Sequence, residues 1–499
     1  MKTGDFAYTA ERKWRENKLP FLSGLVFGLA AHMYMLTNKL PNHDDIESTF
    51  GKGATVTSGR WGLELSKLLF PDWSLPWLYG LISILLISCA VCVMIDVLCV
   101  KGKTMQVLIP AVVLTFPSLT GTFCFMFTSS AYALSFLLSV LAVYEFTRGG
   151  RLHLPIGVCM TVLSLSIYQA YIAVTATLFM LIMLHRCLDA QEDAKAVLIF
   201  GVKAVLYMAV SVAVYYALTL AVFAFTGAEF NDYVTGNTNS AASIPGRIKM
   251  AYDAFRDVFV FRNYYLVTTE FSRLMHIAYL AVLGLSVGLC AYKTGKLLNM
   301  ALAAVLVLLL PLGMNCMFLI MGGSSIHTLV LYSFIGIYLL AAVASEKLCF
   351  RAGRVLKAAL ALMLALTAAI NIYFANMCYL KLELQLENAK SFYTGMMARI
   401  SSTEGFDANC DLAIIGTQDN LLYTPEELDT ELLMGVPRNL INIYSRERFF
   451  ELYLGVDIPF ANEAEIEEIE RDARFAEMAE YPYYGSVARI DDHIVVKLG

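Results

Sequence analysis

Three carboxylates stand close together near the start of the chain, at Asp44, Asp45 and Glu47. Carboxylates at this spacing repel one another unless a cation, a basic partner or a substrate hydroxyl lies beside them. The cluster therefore suits two kinds of chemistry: deprotonation of an alcohol, or binding of a divalent cation such as Mg²⁺ or Mn²⁺. A solvated acidic turn is the competing interpretation, and the residue types alone leave it open.

The composition indicates which kind of element must position this cluster. The chain has 499 residues, of which 58% are hydrophobic and only 16% are charged, whereas soluble domains are about 45–50% apolar and about 25% charged. Most of the protein is therefore predicted to lie in a lipid bilayer. The net charge of −5, without a basic cluster, excludes a nucleic-acid-binding protein.

Apolar segments long enough to cross a bilayer recur along the first three quarters of the chain. A hydrocarbon core of about 30 Å needs about 20 apolar residues per helix. On this rule eleven spans are predicted, near residues 20–37, 75–99, 105–122, 129–146, 153–167, 170–185, 198–225, 275–292, 297–320, 326–344 and 356–376. The sequence thus predicts a polytopic α-helical membrane protein.

Lysine and arginine recur at every second junction between these spans, whereas the alternate short junctions near 123–128, 168–169 and 321–325 hold none. Such an excess stays on the cytoplasmic side. The basic junctions carry Lys101 and Lys103, Arg148 and Arg151, Arg186 and Lys195, Lys293 and Lys296, and Lys347, Arg351, Arg354 and Lys357. The N-terminal tail is basic as well. The charge pattern therefore predicts that the N-terminus lies inside and, with an odd number of spans, that the C-terminus lies outside.

Two domains are predicted. Residues 1–379 form a transmembrane domain with two long outer loops, 38–74 and 226–274, whose apolar spacing is typical of helices at the membrane surface. Residues 380–499 hold 10 Lys and Arg against 23 Asp and Glu, and we expect them to form a small α/β domain on the outer side. Its predicted elements are helices over 380–399 and 464–479, a strand over 412–416 and a hairpin over 487–498 that turns at Asp491-Asp492.

Several short motifs, taken in this order and on this side of the membrane, resemble a known family. They are Asn42-His43-Asp44-Asp45, Ser58-Gly59-Arg60-Trp61, Ser166-Ile167-Tyr168-Gln169-Ala170-Tyr171, Tyr481-Pro482-Tyr483-Tyr484-Gly485-Ser486 and Ile494-Val495-Val496-Lys497-Leu498. Paired acids directly after the first span resemble the GT-C type of membrane glycosyltransferase. More closely, the chain is similar over most of its length to bacterial type II O-antigen glucosyltransferases.

The resemblance implies transfer of a hexose, expected to be glucose, from a polyprenyl-phosphate sugar such as undecaprenyl phosphoglucose. The acceptor would be a hydroxyl of a surface polysaccharide or lipid-linked glycan, outside a bacterial cytoplasmic membrane. Asp44 or Asp45 would act as the general base on that hydroxyl, and the configuration at the transferred sugar would be inverted.

Further residues take candidate roles within this resemblance. The departing phosphate needs positive charge, for which Arg60 is the first candidate because its planar fork binds two phosphate oxygens. Lys67 on the same predicted helix and His327 at the outer end of the tenth span are the others. Binding of sugar or acceptor is assigned to His43, Glu47, Tyr168 and Gln169. Interfacial anchoring is the competing interpretation for the tyrosine.

Two other functions stay open at this stage. A glycolipid flippase or transporter would be expected to show internal repeats and polar groups near the membrane midplane, and neither is visible in the sequence. A polysaccharide polymerase shares the polytopic form and a large outer loop. It would lengthen a chain rather than add one hexose.

Overall fold

The computed structural model describes residues 3–238, 243–261, 270–319, 327–407, 410–417, 433, 435–436 and 439–499. The helices are α1 (Thr3–Thr37), α2 (His43–Glu47), α3 (Trp61–Ser66), α4 (Pro76–Val97), α5 (Lys103–Thr115), α6 (Pro117–Cys124), α7 (Met126–Arg148), α8 (His153–Ile167), α9 (Ile172–Cys187), α10 (Ala194–Thr226), α11 (Asp232–Thr238), α12 (Ile244–Arg256), α13 (Glu270–Lys293), α14 (Leu297–Met314), α15 (Gly336–Lys347), α16 (Arg351–Ser402), α17 (Arg446–Phe449), α18 (Glu463–Arg471) and α19 (Ala473–Glu477). The strands are β1 (Asp411–Ile415), β2 (Val487–Ile490) and β3 (His493–Lys497).

Nine helices among these described residues are long and apolar enough to cross a membrane. The polytopic prediction is confirmed in this form, although eleven spans were expected. The third predicted span is a pair of helices, α5 and α6, bent by 40°. Pro117 is the first residue of α6. The two helices are separated there because a proline disfavours the helical conformation of the residue before it. The fifth predicted span is α8, which has only 15 residues.

Glycines allow neighbouring helices to approach closely. A Cβ at Gly80 of α4 would lie 2.5 Å from Cγ of Leu36 in α1, and a Cβ at Gly24 would lie 2.5 Å from Oγ of Ser88. Small residues at such crossings let helix backbones pack tightly where the hydrophobic effect between helices is weak. The first span is thereby held against α4, directly before the acidic cluster.

The junctions that carry the basic residues contact one another at one end of the bundle. The ammonium of Lys347 lies 2.7 Å from the carboxylate of Asp189, and that of Lys296 lies 2.6 Å from the carboxylate of Asp193. These ion pairs join segments that the charge pattern assigns to the same side of the membrane.

The C-terminal part carries a three-stranded sheet in the order β1-β3-β2. β1 and β3 are parallel, with Ala413 opposite Val495, and β2 and β3 form the antiparallel hairpin expected from the sequence. The helix expected over 464–479 is two helices, α18 and α19. They are separated at Asp472, whose carboxylate accepts from the backbone N–H of Arg474 and so competes with the helical hydrogen bonds.

The last span continues without interruption into this part of the chain. α16 has 52 residues, and at 1.5 Å per residue it is about 78 Å long, more than twice the thickness of a hydrocarbon core. The helix expected over 380–399 is its second half. The boundary predicted at 379/380 therefore lies inside one continuous helix.

Candidate functional site

A cavity of about 990 Å³ lies beside the acidic cluster. Its volume is in the range of pockets that hold a small ligand, and most of its lining is apolar or aromatic. The polar and charged side chains that line it are Asp44, Glu47, Ser48, Lys52, Ser58, Arg60, Thr128, Tyr132, Tyr168, Gln169, Tyr215, Tyr216, Asn231, Thr235, Asn315 and His327. Residues from both long loops and from several spans thus surround one space.

The two adjacent aspartates occupy different environments. Both lie on α2, a five-residue helix whose N-terminus is capped by the side chain of Asn42. Asp44 lines the cavity, whereas Asp45 is not among its lining residues and is only 1% exposed. Successive residues of a helix point about 100° apart, so the two carboxylates cannot both face the same space.

Asp45 is held in a buried hydrogen-bond network. One carboxylate oxygen lies 2.5 Å from the ammonium of Lys39. The other accepts from Oγ of Ser74 at 2.6 Å and from the backbone N–H of Phe127 at 3.1 Å. Asp45 therefore joins the first loop to the start of α7, and its oxygens are engaged by protein.

Asp44 makes its contacts with residues outside this network. Its Oδ1 accepts a hydrogen bond from the hydroxyl of Tyr444 in the C-terminal part. Nε2 of His43 lies 3.8 Å from the same oxygen. Burial lowers the pKa of His43, and Asp44 opposes this effect. His43 itself does not line the cavity, so its place is beside the candidate base.

The three carboxylates predicted as ligands of a divalent cation do not converge. In the part of the chain that the structure describes, the carboxylates of Asp44, Asp45 and Glu47 do not lie within 4.8 Å of one another as a set. Glu47 does line the cavity. Burial raises its pKa, and Arg448 from the C-terminal part opposes the rise.

Arg60 reaches the cavity because two glycines beside it allow close packing. Gly59 has a φ of +70°, and a Cβ there would lie 2.8 Å from the hydroxyl of Tyr215. A Cβ at Gly62 would lie 2.1 Å from Oγ of Ser166. Only glycine fits both positions, and the sequence motifs around residues 58–61 and 166–171 are thereby brought into contact.

Aromatic rings support the Arg60 side chain. Its guanidinium lies over the ring of Tyr168 at 5.5 Å, and one of its nitrogens donates to the hydroxyl of Tyr132 at 3.2 Å. The rings of Tyr132 and Tyr168 are stacked, with centroids 4.2 Å apart. Tyr168 thus has a structural role as a platform for Arg60 as well as a place in the cavity wall.

Gln169 and Asn231 connect the wall of the cavity to the first loop. The side-chain amide of Gln169 donates to the backbone oxygen of Ser58 at 2.9 Å. The side-chain amide of Asn231, from the second loop, donates to Oγ of Ser58 at 3.0 Å. Both predicted outer loops therefore meet at the Ser58-Gly59-Arg60 segment.

A lysine outside the sequence motifs also lies in the cavity wall. Lys52 is only 4% exposed, and its ammonium donates to the backbone oxygen of Phe127 at 2.6 Å. Burial lowers its pKa to about 8. The predicted Lys67 does not line the cavity, because Glu64 at 2.7 Å and Asp72 at 3.0 Å bind its ammonium.

His327 lines the cavity just before the span that begins at Thr328. Burial, together with the charge of Arg60, lowers its pKa to about 4. Its imidazole is therefore neutral at physiological pH. Within the described residues its Nδ1 has no hydrogen-bond partner, so this nitrogen is available to a ligand.

Comparison with known proteins gives one result that bears on this site. A family model described as glucosyl transferase GtrII matches residues 33–340. Comparison with curated proteins and with solved structures returns no match. The matched range contains every residue that lines the cavity and ends before the C-terminal sheet and Tyr444.

Proposed function

Because the chain belongs to the glucosyl transferase GtrII family, whose model matches more than half of its residues, we propose a specific reaction for it. The protein transfers a hexose, expected to be glucose, from a polyprenyl-phosphate sugar to a hydroxyl of a cell-surface glycan. The observation that carries this proposal is that Asp44 shares one largely apolar cavity with Arg60 and Lys52. A base and two cationic groups in an apolar space suit a lipid-phosphate leaving group.

Asp44 acts as the general base in the proposed reaction. It takes the proton of the acceptor hydroxyl while that oxygen attacks the anomeric carbon of the donor sugar. The bond between this carbon and the phosphate oxygen breaks, and the polyprenyl phosphate leaves with its electrons. A single displacement of this kind inverts the configuration at the anomeric carbon.

The phosphate group is stabilised by other residues that line the same cavity as Asp44. Arg60 supplies a planar guanidinium that can bind two phosphate oxygens, and Lys52 supplies a second positive charge. His327 is neutral and contributes a hydrogen bond rather than charge. Glu47 and Gln169 are assigned to sugar or acceptor hydroxyls. No step of this mechanism uses a metal ion.

We infer that the cavity opens on the outer side of a bacterial cytoplasmic membrane. The alternating Lys and Arg residues of the junctions support this orientation. Contacts among the regions predicted to lie outside also support it, since Asn231 of the second loop bonds to Ser58 of the first and Tyr444 of the C-terminal part bonds to Asp44. The fold is accordingly proposed to be of the GT-C type.

A reconstitution experiment tests the reaction. Purified protein in proteoliposomes is incubated with a surface-glycan acceptor and polyprenyl phosphate carrying a radiolabelled glucose, and in parallel with labelled UDP-glucose. We expect label in the glycan only from the lipid donor, as one added hexose of inverted configuration by NMR. A lengthened glycan would indicate a polymerase, and movement of labelled lipid across the bilayer without a new glycosidic bond would indicate a flippase. Either result would contradict the proposal.

The buried lysine predicts a pH dependence of donor use. Lys52 is charged below its pKa of about 8 and neutral above it, so kcat/KM for the lipid donor is expected to fall as pH rises through about 8. This fall in kcat/KM is the basic limb of the pH profile. In Lys52→Arg the basic limb is expected to lie at a pH higher by at least about one unit, since arginine stays protonated. The measurement is initial rate against donor concentration between pH 6 and about 10.

Lys67→Arg is the matched control for this profile, because Lys67 is bound by Glu64 and Asp72 outside the cavity. It is expected to leave the basic limb unchanged. The role of Lys52 is wrong if Lys52→Arg keeps the basic limb of the wild-type protein.

A further inference from the structure

A segment of the C-terminal part packs directly on the acidic helix α2. Tyr444 lies in a short 3₁₀ helix, Ile443–Ser445, which Asn442 and Ser445 cap reciprocally. Its hydroxyl donates to Oδ1 of Asp44, and its ring meets that of His43 edge to face at 5.9 Å. The proposed base thus has a hydrogen-bond donor from a region that the matched family range does not include.

The protein holds this segment from two directions. On one side, Arg446 is buried and donates to the backbone oxygen of Ile414 in β1 at 2.5 Å. On the other side, the rings of Phe449 and Phe450 pack against Tyr393 of α16, with centroids 5.5 and 5.3 Å apart. The position of Tyr444 is therefore set by the sheet and by the long last helix together.

The phenol remains a donor over the range in which an aspartate base would work. Burial raises the pKa of Tyr444, and the hydrogen bond to Asp44 raises it further. Because only one oxygen of Asp44 is engaged by this contact, the other oxygen remains available for an acceptor hydroxyl. A carboxylate with one oxygen anchored presents the second in a defined direction.

We propose that Tyr444 is a positioning residue for Asp44 and that the C-terminal part thereby completes the catalytic centre. This inference rests on the proposed role of Asp44 as the base. The second half of α16, which extends beyond the bilayer thickness, carries Tyr393, against which the Tyr444 segment packs.

Tyr444→Phe tests the inference, because it removes the hydroxyl and keeps the ring against His43. With full-length protein, polyprenyl-phosphate glucose and a glycan acceptor, kcat is expected to fall about 10- to 100-fold, the range for losing a hydrogen bond to a charged group. KM for the donor and for the acceptor is expected to stay within about threefold of the wild-type value, because the substitution removes only the hydroxyl that orients the base, so the loss falls on kcat.

Ionisable groups other than Tyr444 lie on or beside α2. On α2 these are His43, Asp45 and Glu47, and on the packed C-terminal segment they are Glu447, Arg448 and Glu451, whose charges act on Glu47. Tyr444→Phe alters none of them. Rates are normalised to folded protein, because a purely structural role would lower the folded fraction without lowering kcat per folded molecule.

Tyr484→Phe is the matched control, since Tyr484 belongs to the same part of the chain and is fully exposed. It is expected to match the wild type in kcat and in KM. The positioning role is overturned if Tyr444→Phe keeps the wild-type kcat per folded molecule, or if its loss falls on KM instead of kcat. If Asp44→Asn retains full activity, the proposed base is wrong, and the role of Tyr444 is wrong with it. If Tyr444→Phe alone keeps the wild-type kcat, the proposed base stands and only the role of Tyr444 is wrong.

Discussion

Asp44→Asn is expected to lower the rate of hexose transfer by about 10²- to 10⁴-fold, the range for loss of a positioned base. Asparagine has nearly the same shape as aspartate and can accept the hydrogen bond from Tyr444, but it cannot take the proton of the acceptor hydroxyl. The fold is expected to be unaffected because Asp44 lies at the cavity wall. Initial rates at saturating donor and acceptor, normalised to folded protein, measure the effect.

Asp45→Asn is the informative comparison, since it makes the same chemical change one residue along the chain. Asp45 is 1% exposed and binds Lys39, Ser74 and the backbone of Phe127. Loss of its charge is expected to destabilise the protein by about 1.5–3 kcal/mol, as for other hydrogen bonds to charged groups. Thermal unfolding in detergent should show this loss, whereas the rate per folded molecule should remain within about tenfold of the wild type.

Comparison of the two variants tests whether Asp44 and Asp45 have different roles. If Asp45→Asn loses activity per folded molecule as strongly as Asp44→Asn, the division of roles between them is wrong. If Asp44→Asn transfers hexose at the wild-type rate, the enzyme uses a different base. Circular dichroism and elution volume in detergent show whether each variant is folded.

Arg60→Ala is expected to produce the second-largest loss, about 10²- to 10³-fold in kcat, as for removal of one group that stabilises developing charge. The negative charge on the leaving phosphate grows as the glycosidic bond breaks, so the guanidinium contributes more in the transition state than in the bound donor. Arg60→Lys keeps the charge but not the planar fork and is expected to recover only part of the rate. Steady-state kinetics with the lipid donor give kcat and KM separately.

Arg151→Ala provides the control for Arg60, because Arg151 is exposed at the junction between α7 and α8. Its kcat is expected to match the wild type. The phosphate-binding role of Arg60 fails if Arg60→Ala changes neither kcat nor KM for the donor. A loss confined to thermal stability would instead assign Arg60 a packing role on Tyr168.

The sequence by itself determined the membrane character of the chain and most of its elements. Runs of apolar residues longer than a core helix needs are sufficient for this, because the bilayer imposes one length and one polarity on every span. Local pattern also predicted the hairpin over 487–498 and the buried strand β1. Pro117 also indicates locally that the third span is divided, although the spans were predicted from apolar length alone.

The tertiary structure alone decided which side chains share the cavity. Asp44 and Asp45 are adjacent and chemically identical, and their environments differ because Lys39, Ser74 and Phe127 enclose only one of them. Lysines offer a second example: local carboxylates bind Lys67, while packing by α7 places Lys52 in the cavity wall. No periodicity in the sequence could distinguish these cases, since each depends on segments that are distant along the chain.

The contact of Tyr444 with Asp44 is the extreme case, because the two residues are 400 positions apart. Local pattern determines helices and strands, since their hydrogen bonds and side-chain spacing involve residues close in sequence. A catalytic geometry instead depends on how those elements pack, and packing energies come from many weak contacts between remote segments. The sequence alone therefore determined which side chains were available, and the packing of remote segments decided which of them meet.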